Sequence, residues 1–201
     1  MVLKKEDIHG LIRKLRHHRS FTKGEIKELL NELHIKIDTL HHIATHDEKT
    51  GLYNYSFFKG IFAIEIAQAS RGKPMSVILA DIDFFKKMND VHGHVFADML
   101  LKRVSTVLLK ELRSYDVLAR FGGEEFLIML PNTSLKGARI AAEHLRKSIL
   151  NDVVLSRYGL TISFGVASFK KGDNLDTLVE RADKALFEAK REGRNLVRSW
   201  N

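Results

Sequence analysis

The most informative stretch of the chain is VLARFGGEEFLIML, residues 117–130. Two strand-like runs, 117–121 and 126–130, flank the pair Gly122-Gly123. Two glycines between such runs are a strong signal for a tight hairpin with a primed turn. The sequence therefore predicts an antiparallel hairpin, with Glu124 and Glu125 placed directly after its glycine pair.

Helical and strand-like segments alternate around this hairpin. The apolar run 75–80 is typical of a buried strand, and 159–169 is also strand-like. Helical periodicity covers four further segments: 55–71, 95–112, 134–150 and 175–192. From residue 75 onward the order is strand, helix, hairpin, helix, strand, helix. This order predicts an α+β fold in which helices cover a mostly antiparallel sheet.

Residues 1–46 are predicted to form a separate helical segment, a helical hairpin or a coiled-coil stalk, before a second domain at 47–201. An amphipathic pattern covers 5–18, and Thr22-Lys23-Gly24-Glu25 has the capping-box form that starts a second helix. Apolar residues on that helix alternate spacings of four and three. They are Ile26, Leu30, Leu33, Ile37, Leu40 and Ala44. This heptad seam leaves two interpretations open: packing against the chain's own domain, or pairing of two copies.

Composition narrows the class of protein and of partner. The 201 residues carry 33 Lys+Arg against 25 Asp+Glu, a net charge of +8, and 44% of them are hydrophobic, which is typical of a globular protein. The absence of cysteine excludes disulfides and thiolate sites. No apolar run reaches a membrane span and the N-terminus has no signal-peptide core, so we expect a cytoplasmic protein without a membrane partner. The positive charge is compatible with an anionic partner such as a nucleotide.

Two acidic clusters interrupt the apolar strands. Asp81-Ile82-Asp83 follows the run 75–80, and Glu124-Glu125 follows the glycine pair. If the two strands are neighbours, Asp81 and Glu124 can face each other. Mg²⁺ prefers such oxygen ligands, and two divalent ions could clamp the attacking and leaving oxygens of a phosphoryl transfer. The alternative is that these carboxylates are solvated strand-end residues.

Residues after the first acidic cluster suit a nucleotide. The turn at Phe84-Phe85 leads into a helix, whose first N–H groups can bind phosphate, and Lys86 can meet phosphate charge. Asn89 and Asp98 are candidate base readers, because a carboxylate accepts from the N–H edge of guanine. A helix cap for Asn89 and a solvated position for Asp98 remain the alternatives.

The motif FGGEEF at 121–126 resembles the signature of the GGDEF family, the diguanylate cyclases, in its GGEEF form. Three further stretches resemble other motifs of that family and lie in its order and approximate spacing. They are TGLYN at 50–54, DIDFFK at 81–86 with Asn89-Asp90 and Gly93-His94, and KREGRN at 190–195. The resemblance runs from about Asp47 to Asn195.

The resemblance implies a palm-like sheet, similar to that of adenylyl cyclases, and a homodimer that holds one GTP per subunit. The implied reaction condenses two GTP to cyclic di-GMP and releases two pyrophosphates. A catalytically silent domain that binds GTP or cyclic di-GMP is the alternative, but such members usually lose the acidic motif or the metal-binding aspartate, and this chain keeps both. A nucleic-acid partner is not expected, since no nucleic-acid motif accompanies the charge. Three sources of control are left open: an upstream sensory partner, dimerisation, or an upstream sensory region.

The resemblance also implies a role for each site residue. Mg²⁺ or Mn²⁺, two ions per half-site, would bind Asp81, Glu124 and the carbonyl of Ile82. Glu124 would help to deprotonate the attacking 3′-hydroxyl, and Lys86 would stabilise charge in the transition state. Lys190 and Arg194, four apart and so one helical turn, would hold the terminal phosphate. The remaining implied contacts are backbone N–H groups at Phe84-Phe85 for phosphate, Asn89 and Asp98 for guanine with His94 nearby, and Gly122 and Gly123 as a surface for the nucleotide.

Arg113 and Asp116 match the RxxD motif with which the family binds its product and restrains the cyclase; a surface ion pair is the alternative. The chain departs from the family where Ala97 replaces a usual Gly, Lys49 a usual Leu and Tyr55 a usual Arg. The last two departures are expected to affect packing at the start of the domain and not the chemistry.

Overall fold

The structure, a computed structural model, describes residues 22–200. Contacts divide the chain after Thr45 into two units. The first contributes one described helix, α1 at Lys23–Thr45. The second contains six strands and six helices: β1 Tyr53–Asn54, α2 Tyr55–Ala69, β2 Met75–Ile82, α3 Phe85–His92, α4 His94–Glu111, β3 Val117–Gly122, β4 Glu125–Pro131, α5 Leu135–Asn151, α6 Val153–Arg157, β5 Ile162–Ser168, α7 Leu175–Arg191 and β6 Val197–Trp200. Within 22–200, no helix combines the length and apolarity of a membrane span.

Helix α1 begins where its capping box predicts. The backbone N–H of Thr22 donates to a carboxylate oxygen of Glu25 at 2.8 Å, and the N–H of Glu25 donates to Thr22 Oγ1 at 3.3 Å. The apolar residues of its heptad seam are exposed. The other predicted helix, at 5–18, lies outside the described residues.

The six strands form one mixed sheet in the order β1-β3-β4-β2-β5-β6. Strand β2 is central and runs antiparallel to both β4 and β5, and β3 is antiparallel to β4. Only the edge strands pair in parallel, β1 with β3 and β6 with β5. The predicted α+β fold is confirmed. The sequence analysis did not include the edge strands, which have two and four residues and so carry little periodicity.

Helices cover both faces of the sheet. All eight residues of β2 are buried, and successive side chains point to opposite faces. Ile78, Ala80 and Ile82 share one core with helices α4 and α5. Met75, Val77 and Leu79 lie in the other core, with α2 and α7. This sandwich fixes the end of β2, where its acidic residues lie.

The hairpin of β3 and β4 is confirmed, but its primed turn is not. Neither Gly122 nor Gly123 has a positive φ, which a primed turn requires. The register instead shifts between Arg120 and Gly122, and Gly122 pairs with Glu125. A bulge of this kind increases the local right-handed twist, which is what a primed turn otherwise supplies.

Candidate active site

Pairing of β2 with β4 brings the two acidic clusters together. Asp81 lies opposite Glu125 in the register, and the backbone N–H of Ile82 donates to the carbonyl of Glu124 at 3.3 Å. The prediction that the two strands are neighbours is therefore confirmed. Asp81, Glu124 and Glu125 share one end of the sheet, and we name these three residues the acidic cluster.

Lys190 adds a cation to the acidic cluster. Its Nζ lies 2.7 Å from Asp81 Oδ2. Helix α7 reaches this position because it packs very closely on β5 at Gly165. A Cβ at Gly165 would lie 2.0 Å from the carbonyl oxygen of Ala182, so only glycine permits this approach.

Burial disfavours the charge of the acidic cluster, and Lys190 offsets this effect only in part. Burial raises the pKa of Asp81, and the hydrogen bond from Lys190 only partly offsets this. Burial, then the charge of Asp81, raises the pKa of both Glu124 and Glu125, and Lys190 again acts in the opposite direction. A further cation would relieve this repulsion.

The donor set at this position fits a hard divalent cation. Asp81 and Glu124 offer carboxylate oxygens, and Ile82 between the two aspartates offers a carbonyl. Within residues 22–200 no three His, Cys, Asp or Glu side chains form a ready metal cage. Mg²⁺ typically binds one or two carboxylates and completes its coordination with substrate phosphates and water, so the residues present suit Mg²⁺ with a bound nucleotide.

Asp83 has a different role from Asp81. Its carboxylate accepts hydrogen bonds from Thr161 Oγ1 at 2.6 Å, from Ser163 Oγ at 2.7 Å and from the backbone N–H of Asn195 at 3.0 Å. Asp83 is buried and fastens the segment after α7 to the sheet. It is a structural residue.

Arg194 is not one helical turn from Lys190, and that part of the prediction is wrong. Helix α7 ends at Arg191, and Gly193, Arg194 and Asn195 follow with φ of 122°, 65° and 48°. These residues with positive φ turn the chain out of the helix. The spacing of four residues between Lys190 and Arg194 therefore does not correspond to one helical turn. The Arg194 guanidinium lies 4.3 Å from the centre of the Phe84 ring, a cation–π contact. Its charge also lowers the pKa of Asp81, so the site still holds two cations.

The turn at Phe84-Phe85 leads into helix α3 without a side-chain cap. Phe84 precedes α3 with a φ of 56° and makes no side-chain cap. The N–H groups in the first turn of such a helix have no partner within the helix and suit phosphate oxygens. Phe85 is buried and anchors the turn, whereas Lys86 is exposed.

The candidate base readers lie on consecutive helices. Asn89 is on α3, and its buried Oδ1 has no hydrogen-bond partner among residues 22–200. Asp98 is on α4 and accepts a hydrogen bond from Lys49 Nζ at 2.8 Å. His94, the first residue of α4, is exposed. An unsatisfied buried amide oxygen carries a desolvation cost that a donor on a ligand would remove.

Arg120 organises the hairpin turn, and the sequence analysis did not single it out. Its guanidinium donates to the carbonyl of Gly123 from Nε at 3.2 Å and from Nη2 at 2.7 Å. Its Nη1 binds both carboxylate oxygens of Asp47, at 3.1 and 3.0 Å. Although burial opposes ionisation, hydrogen bonds from Thr50 and the charge of Arg120 hold the pKa of Asp47 below its ordinary value. The only sequence signal was an arginine directly before the motif FGGEEF.

The RxxD residues form a turn rather than an ion pair of side chains. The backbone N–H of Arg113 donates to Asp116 Oδ2 at 2.9 Å, while the Arg113 guanidinium donates to the hydroxyl of Tyr115. Asp116 Oδ1 is buried and has no partner among the described residues. Arg113, Asp116 and His144 line a cavity of about 430 Å³. Burial raises the pKa of Asp116.

Comparison with known proteins gives a consistent result. The family described as "Diguanylate cyclase, GGDEF domain" matches residues 44–196. Diguanylate cyclase A of Treponema denticola is 40% identical over 135 residues, 65% of this chain and 36% of that protein. Diguanylate cyclase DosC of Escherichia coli is 37% identical over 184 residues, 89% of this chain and 40% of that protein. The chain therefore spans well under half the length of these relatives.

A solved structure extends the comparison to three dimensions. The crystal structure of the coiled coil and GGDEF domain of DgcB from Caulobacter crescentus, in complex with c-di-GMP, has a TM-score of 0.79 to this chain and 27% identity. The match covers 88% of this chain and 96% of that one. Because the family match covers residues 44–196, which is most of the chain, the chain belongs to the GGDEF domain family of diguanylate cyclases.

Proposed function

We propose that this chain is a diguanylate cyclase, which condenses two GTP to cyclic di-GMP and two pyrophosphates across a homodimer. The acidic cluster beside Lys190 carries this proposal, because grouping three partly buried carboxylates beside one lysine is costly for a protein that binds no cation. The names of the relatives support the same reaction. Each GTP attacks the other, so two facing domains are required.

Glu124 is assigned as the base for the attacking 3′-hydroxyl. Burial raises its pKa, and a higher pKa makes a carboxylate a better proton acceptor. Bound Mg²⁺ or Mn²⁺ would lower the pKa of this hydroxyl and neutralise charge on the phosphates, two effects that a carboxylate alone cannot have. Asp81, Glu124 and the Ile82 carbonyl are the proposed ligands, for two ions per half-site.

The triphosphate is assigned to the cations and backbone donors around Phe84. The first turn of α3 offers N–H groups, and Lys86 extends from that same turn. Lys190 and Arg194 both lie close enough to affect the pKa of Asp81, so their charge reaches the region where phosphate would bind. Fixed charges of this kind stabilise a transition state without reorganisation.

Guanine is assigned to Asn89 and Asp98, with His94 nearby. The unsatisfied Oδ1 of Asn89 accepts from an N–H group, and guanine offers several. Gly122 and Gly123 lie beside the acidic cluster, and a Cβ at Gly123 would meet no atom within 4 Å. That open space suits a nucleotide lying against the hairpin.

Helix α1 is proposed to align the two domains. Its exposed apolar seam has the heptad spacing of a coiled coil, and pairing two copies would bury it. The geometry of the dimer would then set the rate of condensation, because the two GTP molecules are held on different subunits. An upstream sensory partner or region would act through this geometry.

Product restraint is proposed for the cavity beside Arg113 and Asp116. The unpartnered Asp116 Oδ1 accepts from a guanine N–H group, and the Arg113 guanidinium suits phosphate. Cyclic di-GMP offers both groups, so it fits the chemistry of this cavity.

The test is analysis of products by mass spectrometry after incubation with GTP and Mg²⁺, at a protein concentration that forces dimers. We expect cyclic di-GMP from the unmodified chain and none from Glu124→Gln. Glu180→Gln is the matched control, because this exposed glutamate only pairs with Lys184, and it should retain full activity. If the unmodified chain binds cyclic di-GMP but forms none, the chain is a silent binding module and the cyclase proposal is wrong.

A further inference from the structure

We propose that Lys49 determines base specificity by donating a hydrogen bond to O6 of guanine. This inference rests on the proposed function, since it deepens the assignment of Asp98 to the base. In the sequence Lys49 indicates only a change in packing, but its side chain contacts a candidate base reader. Lys49 Nζ lies 2.8 Å from Asp98 Oδ1.

The backbone at Lys49 is held firmly. Asp47 Oδ1 accepts hydrogen bonds from the N–H of Thr50 at 2.9 Å and from its hydroxyl at 2.7 Å. The N–H of Gly51 donates to the carbonyl of Asp47 at 2.8 Å. Asp47 is in turn fixed by Arg120. Lys49 therefore projects from a rigid turn, and its ammonium is held beside Asp98 by the ion pair.

The ion pair is accessible to a ligand. The Lys49 side chain is 51% exposed and that of Asp98 is 42% exposed. An exposed pair of this kind contributes little to stability. A ligand can therefore share or displace this contact at little cost to folding.

The charges match one base edge. Guanine presents the O6 acceptor beside the N1–H and N2–H donors, so a carboxylate and an adjacent cation together complement it. Adenine presents an amino donor where guanine has O6, and an acceptor at N1, so the same pair opposes adenine. An ammonium has three donors and can keep its bond to Asp98 while it binds O6. Leucine at this position would offer only apolar contact.

The test compares nucleotide binding by the unmodified chain and by Lys49→Met, which keeps much of the length of the side chain and removes its charge. The probes are 3′-deoxy forms of GTP, 6-thio-GTP and ATP, which cannot condense because they lack the attacking hydroxyl. Binding is measured by titration calorimetry. The 6-thio analogue keeps both N–H donors and replaces O6 with sulfur, a weak acceptor.

We expect Lys49→Met to weaken binding of 3′-deoxy-GTP about tenfold, equivalent to ~1.4 kcal/mol. Binding of the 6-thio analogue should change less than about twofold by the same reasoning, since its hydrogen bond to Lys49 is already weak. Binding of 3′-deoxy-ATP should stay equal or improve. Lys184→Met, which removes an exposed ion-paired lysine elsewhere, should leave all three affinities unchanged.

Three results would overturn the inference. If Lys49→Met binds 3′-deoxy-GTP as tightly as the unmodified chain does, Lys49 does not contribute to base binding. If the variant binds it more tightly, Lys49 competes with the base for Asp98. An equal loss for GTP and 6-thio-GTP would place the effect of Lys49 away from O6. Any of these, with cyclic di-GMP still formed by the unmodified chain, leaves the proposed function intact. No binding of any guanine nucleotide and no product would overturn both proposals.

Discussion

The substitution Arg120→Met tests how the hairpin turn is held. It removes four hydrogen bonds, two to the carboxylate of Asp47 and two to the carbonyl of Gly123. The side chains of Arg120 and Asp47 are only 16% and 22% exposed, so water replaces these bonds poorly. Methionine keeps most of the apolar packing and removes every donor.

The expected loss of stability follows from this geometry. Breaking a fully buried ion pair costs about 3–5 kcal/mol, because one charge is left without a partner. Asp47 is not fully buried and keeps two hydrogen bonds from Thr50, so the cost is smaller. We expect a decrease of about 2–3 kcal/mol in the free energy of unfolding, close to the value of one or two charged hydrogen bonds.

Two measurements test this prediction. Urea unfolding gives the change in stability, and Arg198→Met is the control, since Arg198 also binds a carboxylate through two nitrogens, that of Glu192, but the two side chains are 36% and 49% exposed. We expect the control to lose about 1 kcal/mol or less. Formation of cyclic di-GMP, measured where both variants are fully folded, should fall by ~10- to 100-fold in Arg120→Met only, because a 1 Å displacement of a catalytic group has such effects.

If Arg120→Met unfolds at the same urea concentration as the unmodified chain, Arg120 does not stabilise the hairpin turn. If stability falls while the rate of product formation does not, Arg120 does not position the site. In that case the bond from Arg120 to Gly123 would support folding without positioning Glu124.

Two further substitutions test the packing and the charge of the site. Gly165→Ala places a Cβ 2.0 Å from the carbonyl of Ala182 and should cost about 3 kcal/mol of unfolding free energy, measured in urea. Gly60→Ala, inside helix α2 and with open space around it, should instead increase stability by up to ~1 kcal/mol. Glu125→Gln should increase stability at pH 7, because burial and the charge of Asp81 raise the pKa of Glu125. The folded state then binds more protons than the unfolded state, so the stability of the unmodified chain falls as pH rises through that pKa. The gain should vanish in unfolding curves recorded below the ordinary value of 4.5, and a gain that persists there would contradict this cause.

Periodicity along the chain predicted most of the fold. The long helices and the buried strands are detectable from local pattern, and their predicted bounds differ from α4, α5 and β2 by only a few residues at most. The short edge strands were not predictable in this way, since two or four residues carry no period. The turn after Gly122 was mispredicted because the bulge depends on how β3 pairs, and no residue type announces it.

The candidate site was predictable where its residues are close in sequence. Asp81 and Glu124 were found because each lies beside a strand end. Asp83 has the same local pattern as Asp81, and its partners Thr161, Ser163 and Asn195 separate the two. Those partners lie 78, 80 and 112 residues away, so spacing could not distinguish the proposed metal ligand from an anchor.

Asp47 connects two parts of the site that the sequence treats as unrelated. Through Arg120 it fixes the carbonyl of Gly123, next to Glu124, and through Thr50 it fixes the turn from which Lys49 reaches Asp98. On the proposed function, the first connection serves the reacting end of GTP and the second serves its base. A change at Asp47 therefore differs from a change at Glu124 or Asp98, each of which acts at one end only. If the proposed function holds, the position of one half-buried carboxylate links recognition of the base to the geometry of the reaction.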